Sequence, residues 1–469
     1  MTRNVLVVMS DEHQARALGC AGHPAVQTPN LDALAAKGTR FAHCWTPSPI
    51  CVPARAAFGT GRWVHEIGTW DSAQAWTGEP SGWTHAMRAH GHDVVSFGKL
   101  HHRSAADDDG FSDRIQPMFI AGGVGWLQGL PRRDPLPFPE AAELAQETGS
   151  GETTYTRYDA RITEAAVDWL SNRSEDDPPW VAFVSLVAPH YPLSAPDEFT
   201  NRIPLADVPP PEIDRVEPHH PAVAAMRRFF DYDASFDAAR TQEARRAYFA
   251  LCNWMDHNVG QVLAALDASG QRDDTLVVYT SDHGELLGNR GLWAKSFMYE
   301  DSVAVPMIVA GPGIPSGHVV DTAVNLVDVA PTILQTAGLP HDGPGRPLQA
   351  LANEPDDPTR PAFSEYHDGG SITGSFAVRS GEWKYVHHVG HRPELYNVVD
   401  DPDELVDLGE APAARVERRQ AEELLRSIVD PDAADRRAFD SQAALMEAHG
   451  GLDAIRAAFR FNHTPAPGD

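Results

Sequence analysis

Cys51 stands between two prolines and four residues ahead of an arginine, in Pro49-Ile50-Cys51-Val52-Pro53-Ala54-Arg55. In a chain with only four cysteines, that placement marks either a small buried apolar thiol or the chemical centre of the molecule. Four further places carry groups that could act with it. Asp11-Glu12, Lys99 with His101, His190, and Asp282-His283 each close a short apolar run. Carboxylates and imidazoles suit a divalent cation, lysine and arginine suit an anion, and histidine moves protons. Any one of these places fits an ordinary polar exit from a strand, but four together point to one site.

The apolar runs are the elements that must position these groups. Asn4 to Met9 is rich in valine, as a central parallel strand should be, and stops at Ser10-Asp11-Glu12. Thr28-Pro29-Asn30-Leu31-Asp32 starts a helix, with Thr28 as its cap, Pro29 in the first turn and Gly38 as its stop. Asp93 to Phe97 is a second strand, ending at Gly98-Lys99-Leu100-His101. Ile162, Ala166 and Trp169 mark one face of a helix, and Trp180 to Val187 is a strand ending in Ala188-Pro189-His190. Tyr248, Leu251, Met255, Val259, Val262 and Leu266 repeat at three and four, a long amphipathic helix closed by Gly270. Thr275 to Tyr279 and Val305 to Val309 are two more strands, the first running into Thr280-Ser281-Asp282-His283-Gly284. Residues 103–155 hold Gly and Pro clusters without periodicity and read as long loops over the sheet edge.

Strands alternating with helices give an α/β fold whose mostly parallel sheet is covered on both faces, and such sheets bind ligands at the carboxyl ends of their strands. After about residue 360 the texture changes to short alternating segments, Phe376 to Arg379, Trp383 to Val386 and Glu394 to Asn397, between Gly or Pro turns. They predict a small antiparallel sheet of three or four strands. From Ala413 the chain reads as helical, and Asn462 to Asp469 as an extended tail. The expected division is a catalytic domain over 1–360 and a C-terminal subdomain over 361–469.

The chain has 469 residues, 42% of them apolar, which is enough for a sizeable core. Its net charge of −28 argues against nucleic acid and anionic membranes as partners, though not against a basic pocket for a small anion. Four scattered cysteines make no disulfide framework, and no stretch is long and apolar enough to span a membrane. The start, MTRNVLVVMSDEHQ, lacks the features of a signal peptide, so a cytoplasmic location is expected. The 22 histidines hint at metal or proton chemistry.

Cys51-x-Pro53-x-Arg55, within Ser48-Pro49-x-Cys51-x-Pro53-x-Arg55-x-x-x-x-Thr60-Gly61, resembles the signature of the type I sulfatases of the alkaline phosphatase superfamily. NVLVVMSDE, TPNLDALAAKGTRF, GTGRWVHEIGTW, GKLHH, APHYP, DDTLVVYTSDHGELLG, Lys295 and VDVAPTIL follow the family's order, so the resemblance covers almost the whole chain. It implies an alkaline-phosphatase-like fold: a large, mostly parallel sheet between helices, with a smaller C-terminal antiparallel sheet and helix. It implies a sulfuric ester hydrolase in which a maturation enzyme oxidises Cys51 to formylglycine. Asp11 and Asp282 match the family's metal carboxylates. His283 stands where many members have Asn, a variant shared with choline sulfatases and phosphonate monoester hydrolases, and Glu12 takes the place of an Asp or Gln. With the converted Cys51 these residues imply one divalent metal, calcium or manganese. Arg55 is expected to hold the formylglycine hydrate, and Lys99 and Lys295 the sulfate oxygens. His101 is expected to act as base on the second hydroxyl, and His190 as general acid, shared with Lys295. His65 reads equally well as structural.

SDHGELLGNRGLWAK and GKLHH are similar to choline sulfatases. On that basis Glu365 is expected to face a cationic head group, and Trp126 either to form a cation–π wall or to pack its loop. The chain departs from those enzymes at Asp71-Ser72, where they carry Asn, so choline sulfate is one candidate among alkyl, aryl and sugar sulfates. The rival is a phosphonate monoester or phosphodiester hydrolase on the same apparatus. A binding protein on an inactive scaffold requires Cys51 to remain a thiol. A thiol hydrolase pairing Cys51 with His101 or His190 leaves Asp11 and Asp282 without a role. The expected partners are a small anionic sulfate ester, the maturation enzyme and, through the helical end and its tail, neighbouring subunits of a homodimer or homotetramer.

Overall fold

The first apolar run forms strand β1 (Asn4–Asp11), buried along its whole length. The computed structural model describes residues 4–136, 138, 140–174, 176–213, 220–458 and 463–468. In it β1 lies inside an eight-stranded sheet with β2 (Thr39–Phe41), β3 (Asp93–Lys99), β4 (Asp113–Met118), β5 (Trp180–Pro189), β6 (Thr275–Ser281), β7 (Met307–Ala310) and β8 (His318–Val320). Their order is β8-β2-β7-β6-β1-β5-β3-β4. Every pairing is parallel except the two that β7 makes. Val5 of β1 faces Val181 of β5 on one side and Leu276 of β6 on the other. Strands buried on both faces need apolar side chains at every position, so these three read as unbroken runs.

Helices α1 (Pro29–Lys37), α2 (Cys51–Thr60), α3 (Thr154–Ser171), α4 (Ala238–Ala268) and α5 (Val329–Thr336) cover the two faces. Alternation along β1 sorts them. Leu6 and Val8 share a core with Leu31 of α1, Ile162 of α3 and Leu251 of α4, while Val5, Val7 and Met9 pack with Phe58 of α2 and Ile333 of α5. Helix α1 begins at Pro29 and stops at Gly38, as its sequence predicts, but Thr28 does not cap it. The Thr28 hydroxyl donates to Asp32 instead, at 3.1 Å. The free N–H groups of Asn30 and Leu31 are taken by Asp256 of α4, at 3.2 and 2.9 Å, so the cap is a tertiary contact.

Strand β4 lies within the segment read as loops. It pairs only with β3, at the sheet edge, and Met118 alone of its residues is buried. An edge strand with one partner needs no apolar run and tolerates Pro117, so the pattern gave no sign of it. A short helix, Glu140–Gln146, lies in the same segment.

The smaller sheet has four antiparallel strands in sequence order, β9 (Ala362–Tyr366), β10 (Ser375–Ser380), β11 (Trp383–His388) and β12 (Glu394–Asn397). Helix α6 (Arg415–Ile428) packs on it, Leu425 sharing a core with Val378, Tyr385, Val64 and Trp70. Helices α7 (Pro431–Ala448) and α8 (Gly451–Ala457) return toward the large sheet, where Gln442 Nε2 donates to Asp71 at 2.9 Å. Asn462 and Asp469, the ends of the predicted tail, lie outside the described residues. Between them the tail, expected to be unanchored, is held on its own chain: Tyr155 and Arg161 of α3 donate to the carbonyls of Thr464 and Pro467, and Ala466 is buried. Among the described residues no helix is long and apolar enough to cross a membrane.

Asp256→Ala leaves two helix N–H groups of α1 without an acceptor and is expected to lower the unfolding free energy by about 1–3 kcal/mol in urea titration, with Asp256→Asn losing less.

Candidate active site

Cys51 is the first residue of α2, preceded by Ile50 in extended backbone. Pro53 falls in the first turn, where a missing N–H costs nothing. The thiol therefore sits at the positive end of the helix and lines a cavity open to solvent. Ser296 N–H donates to the Pro49 carbonyl at 2.9 Å, tying the loop that carries Lys295 to the turn that carries Cys51. Glu285 fixes that loop further by accepting from Leu287 and Ala294 N–H, at 2.8 and 2.6 Å.

Arg55 lies one helical turn beyond Cys51 and is fully buried. Its Nε donates to Asp282 Oδ2 at 2.7 Å and its Nη2 to Asp11 Oδ2 at 2.9 Å. Its Nη1 donates to the Lys99 carbonyl and the Ser185 hydroxyl, both at 2.8 Å. One guanidinium thus joins the ends of β1, β3 and β6 to β5. The strand order β6-β1-β5-β3 brings Asp282, Asp11, His190 and Lys99 side by side, although they lie far apart in sequence.

Cys51 Sγ is 3.1 Å from His283 Nε2 and 3.7 Å from Asp11 Oδ1. His283 Nε2 is 3.8 Å from Asp11 Oδ1 and 3.7 Å from Asp282 Oδ1. One donor atom from each of Asp11, Cys51, Asp282 and His283 falls within 4.8 Å of the others, all buried. His283 Nδ1 donates to the Gly284 carbonyl at 3.0 Å, which leaves Nε2 as a lone pair facing the carboxylates. Two carboxylate oxygens and an imidazole nitrogen converging in a dry place fit a divalent cation. Glu12 lies beside that group: its Oε2 is 3.2 Å from Lys295 Nζ and 3.5 Å from His190 Nε2, and with Asp11 and His190 it forms a second buried cluster of possible metal donors. Burial raises its carboxyl to about 8, against the pull of Lys295. Burial also opposes ionisation of Asp11, yet the charges of Lys99 and Arg55 hold that carboxyl well below the usual range.

Basic groups complete the floor. Lys99 Nζ is 2.6 Å from Asp11 Oδ2. His190 Nδ1 donates to the Tyr191 carbonyl at 2.6 Å, which turns its Nε2 toward Glu12 Oε2, at 3.5 Å, and Asp11 Oδ1, at 3.9 Å. Neither ring nitrogen of His101 has a hydrogen-bond partner among the described residues. Burial, reinforced by Lys99, keeps His101 neutral by lowering its pKa well below the ordinary value, and burial with Lys295 does the same to His190. Glu12 and His101 both hold left-handed backbone, φ 67° and 54°, which non-glycine residues adopt where the surroundings impose it. The Cys51 thiol is pushed up to about 12 by burial and by Asp11, so it is protonated at neutral pH and a poor nucleophile.

Of the residues singled out from sequence, Cys51, Lys99, His101, His190, Lys295 and Trp126 line the cavity. Arg55, Asp11, Asp282 and His283 lie around its floor. Glu365 does not reach it. That carboxylate accepts from His65 N–H and faces His65 Nδ1 and His367 Nε2, at 2.9, 2.8 and 3.1 Å, and is wholly buried. Asp71 accepts from Gln74, Gln442 and Ala73 N–H, while its neighbour Ser72 lines the cavity and donates to Asp368 at 2.6 Å. Sequence reasoning missed the walls: Phe138, Tyr155, Tyr191, Phe230 and Tyr232, with His463 and Thr464 from the C-terminal end. Only Tyr191, next to His190, had a signal beside it.

A floor of paired cations and convergent carboxylate and imidazole donors under aromatic walls suits a small anion and a divalent cation, and it sits on a fold of alkaline-phosphatase-like architecture. The family model described as Sulfatase matches residues 3–339, and one described as N-sulphoglucosamine sulphohydrolase, C-terminal, matches residues 288–430. The chain is 30% identical over 433 residues to the choline-sulfatase of Rhizobium meliloti (strain 1021), covering 88% of this chain and 84% of the relative. It is also 30% identical over 454 residues to arylsulfatase K of Danio rerio, covering 91% and 84%. The crystal structure of the phosphonate monoester hydrolase of Agrobacterium radiobacter superposes with a TM-score of 0.74 at 22% identity, over 91% of this chain and 95% of that one, a likeness of fold. The chain belongs to the Sulfatase family and is a sulfuric ester hydrolase.

Arg55→Met removes the cation between two buried carboxylates and is expected to cost about 3–5 kcal/mol of stability by denaturant unfolding, with Arg55→Lys, which keeps charge without the fork, in between.

Proposed function

We propose that the protein hydrolyses a small sulfate monoester, with an alkyl, aryl or choline-type leaving group, through a formylglycine made from Cys51. The observation that supports this best is the position of Cys51. It starts a helix between the donors Asp11, Asp282 and His283 and a basic floor, with a thiol too weakly acidic to attack for itself. Asp11, Asp282, His283 and the converted side chain would hold a divalent cation, calcium or manganese, with Glu12 beside them. The chemistry such a cation supplies is charge neutralisation and acidification of the hydroxyl that faces it.

The hydrated aldehyde carries two hydroxyls on one carbon. One hydroxyl gives up its proton to solvent and its oxygen bonds to sulfur as the bond from sulfur to the leaving oxygen breaks, and the leaving oxygen takes a proton from His190 or Lys295. His190 must then be protonated at Nε2, a form that the bound anionic ester favours. Lys99 and Lys295 face the sulfate oxygens as point charges, and Arg55 holds the hydrate from below. His101, neutral and without a bound proton acceptor, takes the proton of the second hydroxyl. The aldehyde C=O re-forms, the C–O bond breaks, sulfate leaves with the electron pair, and water hydrates the aldehyde again. No water has to attack a crowded anionic sulfur. A formylglycine-generating enzyme is the partner this reading requires.

A phosphonate monoester or phosphodiester would fit the same floor, because tetrahedral phosphorus and sulfur esters differ mainly in charge, and the Asp282-His283 pair resembles that of phosphonate monoester hydrolases. Turnover of an aryl sulfate and of the matching aryl phosphonate, on matured and metal-loaded protein, is expected to favour the sulfate by kcat/KM; preference for the phosphonate would reverse the assignment.

Cys51→Ser is expected to accept one sulfuryl group and stop, because a sulfated serine has no geminal hydroxyl to expel it. Intact-mass spectrometry should show protein heavier by one sulfuryl group after at most one turnover. Steady turnover at the rate of the matured enzyme would mean that water attacks sulfur directly and that formylglycine is not needed.

A further inference from the structure

The floor chemistry does not use His463, which lines the same cavity together with Thr464. These residues form a built wall. The Tyr155 hydroxyl donates to the Thr464 carbonyl at 2.6 Å, Arg161 Nη2 donates to the Pro467 carbonyl at 2.8 Å, and Ala466 is buried in the main core. The His463 ring stands edge-on to Tyr155 with centroids 4.8 Å apart, and Tyr155 also contacts the His190 ring, 6.0 Å away. One aromatic ring therefore links His463 to the histidine that faces the leaving oxygen. The His463 Nδ1 atom is buried and has no hydrogen-bond partner among the described residues. Such an atom is costly unless a ligand supplies the partner. Burial, with the charge of Lys99, lowers His463 to about 4, so the ring is neutral and can donate or accept one bond to an uncharged group. No carboxylate is found among the described residues lining the cavity, whose walls above the floor carry aromatic rings, aliphatic side chains and the hydroxyl residues Ser72, Ser296 and Thr464.

We propose that His463 binds the leaving group of the ester, its Nδ1 hydrogen-bonding a hydroxyl on an otherwise apolar, aromatic alcohol. The C-terminal segment is then a specificity wall supplied by the same chain, and the substrate class is the sulfate monoesters of hydroxyaryl compounds. This rests on the sulfate-ester reading of the floor. His463 is a positioning residue for the leaving group and takes no part in bond breaking.

The test is binding without turnover. On metal-loaded Cys51→Ala protein, titration calorimetry is run with ortho-, meta- and para-hydroxyphenyl sulfate and with the corresponding methylphenyl sulfates. At least one hydroxyphenyl isomer is expected to bind more tightly than its methyl counterpart. Adding His463→Phe, which keeps a ring against Tyr155, should weaken that isomer by about three- to tenfold, the value of one hydrogen bond, and leave the methyl esters unchanged. His463→Gln, which keeps a polar amide, should restore part of the difference. The proposal is overturned if no hydroxyphenyl isomer is preferred, or if His463→Phe weakens hydroxyl and methyl esters alike or neither. Should no aryl sulfate bind the Cys51→Ala protein at all, the sulfate-ester reading itself fails, and this proposal with it.

Discussion

A guanidinium shut away from water must find its anions inside the protein, and Arg55 finds them at the carboxyl ends of the central strands. Its bonds to Asp282, Asp11, the Lys99 carbonyl and Ser185 satisfy a charge that would otherwise be prohibitive to bury. The converse holds for the carboxylates. Asp11 and Asp282 can share one dry corner because Arg55 lies between them and Lys99 lies against Asp11. On a chain of net charge −28, Arg55, Lys99 and Lys295 nevertheless converge on one corner. The register of the central strands and the electrostatics of the floor are thus one constraint.

The molecule divides its labour along that line. The floor comes from strand ends and the first turns of a helix, which are rigid and hold charge in place. The walls come from helix ends such as Tyr155 of α3, from connecting segments and from the end of the chain, and they carry aromatic rings and a neutral histidine. Chemistry at the floor can stay fixed while the walls determine what the cavity admits. Ser72 shows how the two layers are joined: it faces the cavity, yet its hydroxyl and N–H are held by Asp368, next to the Asp71 carboxylate that α7 reaches through Gln442.

This division also explains what could be read from sequence. Asp11, Lys99, His190 and Asp282 were legible because a strand buried on both faces is a run of apolar residues, and the ionisable groups that follow within a few residues mark its end. Parallel order then makes distant ends neighbours. Cys51 and Arg55 were legible through their spacing on one helix and through the resemblance that carries it. Glu365 was misplaced because its partner His65 lies 300 residues away, and no local pattern distinguishes a carboxylate paired inside the protein from one facing a ligand. Strand β4 was invisible because half-exposed edge residues obey no period, and the aromatic walls because no period distinguishes a ring facing a cavity from one packed in a core. The tail looked free because its anchors, Tyr155 and Arg161, belong to a helix some 300 residues earlier.

The central position of β1 has a further consequence during synthesis. Its hydrogen-bonding neighbours are β5 and β6, whose first paired residues are Val181 and Thr275. At a ribosomal rate of about 5–20 residues per second, the apolar run from Asn4 to Met9 is made on the order of ten seconds or more before either partner exists. Until then it is an unpaired strand of the kind that associates with other chains. The catalytic floor cannot form piecemeal either, because Arg55 meets Asp282 only after most of the chain has been made. Such long-range closure makes folding slow and leaves the nascent chain dependent on protection from aggregation.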